Sequence, residues 1–329
     1  MSAANLDPQA QQVQVHPVIR RYMPPAGLQE SMMAAIMRMA LKATLKPFLG
    51  PPWPFSVQRL SLSIGSALMP QDGRAQVKAD RIDHIPVERV TPKAASGKPR
   101  HAILYLHGGA FVAGSPRTHR SITRRLAAET GAMVLVPHYR LAPEAVFPAQ
   151  LDDCVACYRQ LLKEGYAPER IAIAGDSAGG NLTFMTAIAA MKAGMPGPAS
   201  LVMMSPAFSL HPLPNSTHEQ REARDPMIRL AWGALVEKAM QVPPDHPFAN
   251  PLVQDMSRLP PALVQVGEDE VLYDNAVWFA NTATAAGRTA ELEIYLKRWH
   301  VFQAHAALMP SSIQALDRQV EFMKRHWQA

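Results

Sequence analysis

Hydrophobic and polar positions alternate along this chain in two rhythms. Up to about residue 50 the rhythm is helical: Met33, Met37, Ala40 and Leu41 recur on one face, with Arg38, Lys42 and Lys46 on another. Pro47 and the Pro51–Pro54 cluster end that segment. From Ile82 onward, short apolar runs alternate with longer amphipathic stretches. The runs Ile82–Val90, Ala102–Leu106, Ala132–Val136, Ile171–Ala174, Leu201–Met204, Ala262–Val266 and Leu292–Leu296 read as strands. Thr118–Glu129, Phe147–Glu164, Ala178–Lys192, Tyr273–Ala286 and Ser312–Trp327 read as the helices between and after them. This alternation predicts an α/β fold: a mostly parallel sheet with helices on both faces. His211 to Asn250 breaks it. That stretch is polar and Pro-rich, with one helical patch around Met227–Met240, and is too long for an ordinary connection. It reads as an inserted lid. The expected division is a core of residues 51–206 and 251–329 under a helical cap of 1–50 and 207–250.

Composition narrows the function classes. The 329 residues are 48% hydrophobic and 18% charged, enough for a large core and against global disorder. Two cysteines exclude a disulfide framework, and with 12 dispersed histidines they show no zinc spacing. The net charge of +6 is spread without a basic run, which argues against nucleic acid as a partner. Residues 1–17 carry no secretory signal pattern, and Arg38, Lys42 and Lys46 interrupt the apolar stretch 31–49. The expectation is a cytoplasmic protein without stable membrane insertion; a homodimer is left open. Cys154 and Cys157 have C-x-x-C spacing but fall mid-helix, and read as packing residues. The methionines Met32, Met33, Met37 and Met39 could anchor a membrane; they read better as a flexible apolar wall of a binding pocket.

Candidate chemistry centres on Gly175-Asp176-Ser177-Ala178-Gly179, between a strand and a helix. In that setting G-x-S-x-G is a nucleophile elbow, whose small residues permit a sharp turn that exposes the serine. His107-Gly108-Gly109-Ala110-Phe111 follows another strand, 70 residues ahead of the serine. Backbone N–H groups of small residues can approach a developing oxyanion, so Gly108, Gly109 and Ala178 are the expected donors. His107 reads as a support of that loop. Serine needs a base, itself oriented by an acid, in the chain order Ser, acid, His. His300 follows the strand Leu292–Leu296 and is the candidate base; His305 lies further along, at the surface or against a helix. The loop Gly267–Asp274 holds four carboxylates, and spacing alone leaves Asp269 and Glu270 both open, with Asp274 on the next helix.

These motifs, with Tyr139-Arg140-Leu141-Ala142-Pro143-Glu144, Phe147-Pro148-Ala149, Leu259-Pro260-Pro261 and His300-Val301-Phe302, resemble the hormone-sensitive-lipase family (bacterial family IV) of α/β-hydrolases over residues 80–305. Ala110 replaces the family's third motif glycine. The family's D-P-L-x-D register falls on Glu270-Val271-Leu272-Tyr273-Asp274, so the resemblance implies Glu270 as the acid. It further implies a serine carboxylesterase acting on short- to medium-chain acyl esters through an acyl-enzyme, with no metal or organic cofactor and a small-molecule acyl ester as partner. An amidase or formamidase on the same scaffold is the alternative. A non-catalytic receptor of the kind that resembles this family lacks the catalytic histidine, which is present here as His300.

Overall fold

A computed structural model describes residues 17–209, 213, 215–243, 246–249 and 255–327. Among the described residues, nine strands form one sheet: β1 (Val18–Tyr22), β2 (Ala75–Ile82), β3 (Ile85–Pro92), β4 (Ala102–Leu106), β5 (Met133–Pro137), β6 (Ile171–Asp176), β7 (Ser200–Met204), β8 (Ala262–Gly267) and β9 (Ala290–Tyr295). Their order is β1-β9-β8-β7-β6-β4-β5-β3-β2. Only the β2–β3 and β3–β5 pairs are antiparallel. The central strands are buried on both faces, as their unbroken apolar runs require. Side chains alternate between two cores. Leu104, Leu106, Ile173 and Leu201 meet α4 (Ala149–Lys163), α5 (Ala178–Lys192) and α8 (Tyr273–Ala285). Ile103, Tyr105, Val134 and Val202 meet α3 (Arg120–Thr130) and α9 (Pro310–His326). Cys154 and Cys157 lie buried and unbridged on α4, where burial raises both thiols, Cys157 to about 12. They pack; they do not titrate near neutrality.

Three departures from the sequence pattern have local causes. The apolar run Ile82–Val90 is two strands, because Asp83 adopts a left-handed φ of 52° and turns the chain into the β2–β3 hairpin. Val18–Tyr22 is a strand, not part of a helical cap. It pairs in parallel with β9 from Val18↔Glu291 to Tyr22↔Tyr295 and forms an edge of the sheet. A helix the pattern did not suggest, α2 (Phe55–Ala67), follows the proline cluster. It belongs to the cover although its residues fall within the stretch assigned to the core.

The cover lies over the carboxyl ends of the central strands. It consists of α1 (Leu28–Thr44), α2, and the insertion with α6 (His218–Glu222) and α7 (Leu230–Met240). Residues 1–16 of the expected cap, and 210–212, 214, 244–245 and 250–254 of the insertion, lie outside the described residues. Basic side chains pin the cover by capping backbone carbonyls. Arg229 donates to Leu49 and Pro51 O, and Lys46 to Glu222 and Asp225 O. Arg59 of α2 donates to Val112 O and Ala142 O and pairs with Glu144 at 2.7 Å. Glu144 of the Tyr139–Glu144 motif is thus a tie between cover and core.

Candidate active site

β6 enters the elbow at Asp176, and α5 leaves it at Ala178. Between them Ser177 has φ 54° and ψ −120°, a strained backbone for a residue with a side chain. The neighbours hold it there. Ser177 N–H donates to Met204 O at 2.8 Å, and its carbonyl accepts from Gly180 N–H and Ala207 N–H, both at 3.0 Å. Gly179 lets the turn close, because a Cβ there would overlap the Leu106 carbonyl.

His300 is carried by the loop after β9. Its Nε2 lies 3.0 Å from Ser177 Oγ, and its Nδ1 lies 3.6 Å from Glu270 Oε1. The second distance is that of an ion pair rather than of a formed hydrogen bond. All three side chains are buried; Ser177, at 9% exposure, is the most open. The other Glu270 oxygen, Oε2, accepts from Gly267 N–H and Ser205 Oγ–H, each at 2.9 Å. Ser205 Oγ also accepts from Val301 N–H at 3.0 Å, so one hydroxyl ties the carboxylate to the histidine's own loop. Burial pushes the His300 imidazolium down, but Glu270, helped by Asp225 and Asp176, outweighs it, and the net shift is above 6.5.

The remaining carboxylates of the Gly267–Asp274 loop face elsewhere. Asp269 meets Arg38 of α1 at 2.8 Å and Arg224 of the insertion at 3.5 Å. Asp274 accepts from Thr217 N–H and Oγ1–H. Glu268 accepts from Lys297 N–H. The two carboxylates that spacing left open differ in direction: Glu270 faces the histidine, Asp269 the cover. His305 is not at the surface. It is buried in the cavity wall, its Nδ1 3.2 Å from Phe302 O, with burial holding it down at about 4.

The His107–Phe111 loop departs from expectation at one residue. Gly108 N–H donates to Asp176 Oδ1 at 3.1 Å, so it is committed to the elbow and is not free for an oxyanion. The backbone N–H groups of Gly109, Ala110 and Ala178 have no acceptor among the described residues. Gly109 also lines the cavity, with φ 117° and Ala113 O where a Cβ would sit. His107 supports the loop as its sequence setting suggested. Burial lowers it to about 3, so it is neutral; its Nδ1–H faces Gly108 O at 2.9 Å, and its ring stacks on Tyr139 at 4.2 Å.

Three further residues carry the site without a sequence signal of their own role. Asp176 gathers Tyr105 Oη–H at 2.7 Å, His119 Nε2 at 3.2 Å and Gly108 N–H. Burial favours its neutral form, but His119 and Tyr105 keep it below the usual carboxylate range. It occupies the free position of G-x-S-x-G, the one place the motif could have drawn attention to. Asp225 comes from the insertion and is fully buried. It accepts from Met227 and Ile228 N–H, and from Val271 N–H beside Glu270. Ser205 sits just after β7, where no pattern marks it.

Above the site lies a cavity of about 520 Å³, within the usual range for small-molecule sites. Ser177 and His300 reach it, and its walls include Leu41 and Leu45 of α1, Leu60 and Ile64 of α2, and Trp232 of α7. Among the described residues, no group of three or more His, Cys, Asp or Glu side chains is placed to hold a metal ion.

The family described as alpha/beta hydrolase fold matches residues 103–304. An acetyl-hydrolase of Streptomyces hygroscopicus is 36% identical over 245 residues, covering 74% of this chain and 81% of that protein. The crystal structure of an esterase from the bacterial hormone-sensitive lipase family superposes with a TM-score of 0.82 at 34% identity, covering 92% of this chain and 100% of that one. This chain belongs to the hormone-sensitive-lipase family. A carboxylesterase/phospholipase of Mycobacterium tuberculosis, LipF, is 33% identical over 240 residues, 70% of this chain and 64% of that protein. Like these relatives, this family member is a carboxylic ester hydrolase with the α/β-hydrolase fold. A buried serine–histidine contact at the floor of an apolar cavity suits acyl transfer: a nucleophile, a base and unpartnered N–H donors share one small space.

Proposed function

We propose that this esterase hydrolyses short- to medium-chain acyl esters in two steps, with Ser177 as nucleophile, His300 as base and Glu270 as the orienting acid. The observation that carries the reading is the 3.0 Å approach of His300 Nε2 to Ser177 Oγ, with Glu270 on the far side of the imidazole. Ser177 Oγ attacks the ester carbonyl as its proton passes to His300 Nε2. The imidazolium formed is stabilised by Glu270, which Gly267 N–H and Ser205 hold in place. Gly109, Ala110 and Ala178 N–H groups receive the oxyanion, Ala110 taking the part that Gly108 gives up to Asp176. His300 then protonates the leaving oxygen as its bond to the carbonyl carbon breaks, the alcohol departs, and the acyl group remains on Ser177. Water, deprotonated by His300, attacks the acyl-enzyme; collapse of the second tetrahedral intermediate releases the acid and restores the serine.

The cover selects the acyl group. Its α1, α2 and α7 walls are apolar, so each methylene that fits leaves water for a hydrocarbon lining. The deciding experiment is a p-nitrophenyl ester series of rising chain length beside the matching anilides. The expected result is ester hydrolysis with an optimum at short to medium chains and negligible anilide cleavage. Faster turnover of the anilides would replace this reading with an amidase.

A further inference from the structure

Exposed apolar side chains are concentrated in one stretch of this chain. Of the twelve large hydrophobic residues left exposed among the described residues, eleven lie between Val18 and Leu68; Val146 is the other. A folded surface carries scattered exposed apolar residues, but a cluster of this kind marks a contact site. On α1, Met32, Ile36 and Met39 fall on one helical stripe facing solvent, opposite buried Met37 and Leu41. Ala40, one turn beyond Ile36 on the same ridge, already lines the cavity. Leu60 and Ile64 of α2, with Leu68 just past its end, form a second stripe that is both exposed and part of the cavity wall. Trp53, 39% exposed, sits on the connection between the two helices. The apolar surface is therefore continuous with the cavity that leads to Ser177.

Charge follows the same distribution. Residues 17–71 contain Arg20, Arg21, Arg38, Lys42, Lys46 and Arg59 against Glu30 alone, five of the chain's net six positive charges. Glu30 is buried against Arg298. The carboxylates that meet Arg20 and Arg38 are each shared with a second arginine: Glu291 with Arg325, and Asp269 with Arg224. Arg59 is matched by Glu144. Lys46 caps carbonyls without a carboxylate partner, and Arg21 and Lys42 are exposed. Lys42 follows Met39 by three positions and so flanks the apolar stripe on the side away from the cavity.

We propose that the α1–α2 face of the cover is a peripheral docking surface for anionic lipid membranes, which presents the mouth of the cavity to the lipid. Apolar stripes bordered by cations suit the boundary between charged headgroups and acyl chains, with tryptophan at that boundary. A second copy of the chain would instead bring cation against cation. No described helix is long and apolar enough to cross a membrane, so the contact is one of docking. The inference goes beyond the proposed reaction and does not depend on it, because binding is read without turnover.

The test uses the full chain with Ser177→Ala, so that lipid is not consumed. It is sedimented with vesicles of phosphatidylcholine alone, or of phosphatidylcholine mixed with phosphatidylglycerol, at low and high salt. The expected result is co-sedimentation with the anionic vesicles only, weakened by salt. Met32→Gln/Ile36→Gln/Met39→Gln, and separately Lys42→Glu, should each lower the bound fraction at least about fivefold. With Ser177 restored, neither change should alter hydrolysis of soluble p-nitrophenyl acetate, since none of these side chains lines the cavity. Folded protein that stays in the supernatant with anionic vesicles at low salt would overturn the proposal. So would undiminished binding by both variants. Sedimentation velocity supplies the last outcome: a dimer dissolved by the triple glutamine variant would make this face a subunit contact instead.

Discussion

The floor of the site and its cover are built from opposite materials. On the floor, Ser177, His300 and Glu270 are buried, and backbone N–H groups or hydroxyls hold the elbow and the acid. In the cover, α1 and α2 turn apolar side chains toward both cavity and solvent, and are held to the core by arginines, and to the insertion by a lysine, reaching backbone carbonyls. A floor of this kind keeps its geometry because moving any part strands a buried polar group. A cover held by partly exposed ion pairs and side-chain-to-carbonyl bonds resists displacement far less. The contrast assigns chemistry to the first region and access to the second, and each part of that division can be broken separately.

The most severe break is at the nucleophile. Ser177→Ala should lower kcat by about 10⁶ while thermal unfolding is unchanged. Retention of more than about one per cent of activity in clean mutant protein would remove Ser177 from its role. Next comes the acid. Glu270→Gln should lower kcat by roughly 10³ to 10⁴, whereas Asp269→Asn, whose carboxylate serves Arg38, should cost far less. The pH profile sharpens this. His300 must be neutral to accept a proton, and Glu270 raises its titration above 6.5 despite burial, so activity falls as pH drops through that raised value. Removing the Glu270 charge should move the acidic limb of kcat/KM to lower pH. A limb that stays put, or a larger loss in Asp269→Asn, would show that the acid lies elsewhere.

A smaller effect is expected at Ser205, which acts through Glu270 and the His300 loop and touches no reacting atom. Ser205→Ala should reduce kcat about ten- to a hundredfold, by analogy with outer partners of catalytic ligands, with KM little changed. It should also shift the acidic limb, which a purely structural loss would not do. The mildest changes belong to the cover. Each added methylene should improve kcat/KM by about fourfold at most, from ~0.8 kcal/mol per buried CH₂, until the chain meets the wall. Trp232→Ala should move that limit to longer chains without altering the pH profile. An unchanged chain-length optimum would place the acyl group away from α7.

Much of the floor was legible because its residues lie where strands end. Ser177 follows β6, Glu270 follows β8 and His300 follows β9, and a strand–turn–helix junction dictates where its turn residue points. Gly108 departs from the motif's expectation because a motif specifies a loop but not which N–H a buried Asp176 will take. Ser205 and Asp225 were invisible because their roles arise from tertiary hydrogen bonds to Glu270 and Val271, across 65 and 46 positions of sequence. In the cover, composition suggests Met32, Met33, Met37 and Met39 as a pocket wall, but of these four only Met37 lines the cavity. Val18–Tyr22 reads as a strand only once β9 offers it an edge.

The sequence by itself determined the alternation of strands and helices, and with it the parallel sheet, the elbow turn and the placing of Ser177, Glu270 and His300 after strands of that sheet. These depend on periodicity and on small residues at turns, which are local properties of the chain. Tertiary structure alone decided which N–H groups stay unpartnered, and which apolar faces of α1 and α2 close the cavity and which meet solvent. A carboxylate, an amide or a leucine has the same local propensity whichever neighbour it meets. Its role is set by partners that folding brings from distant parts of the chain.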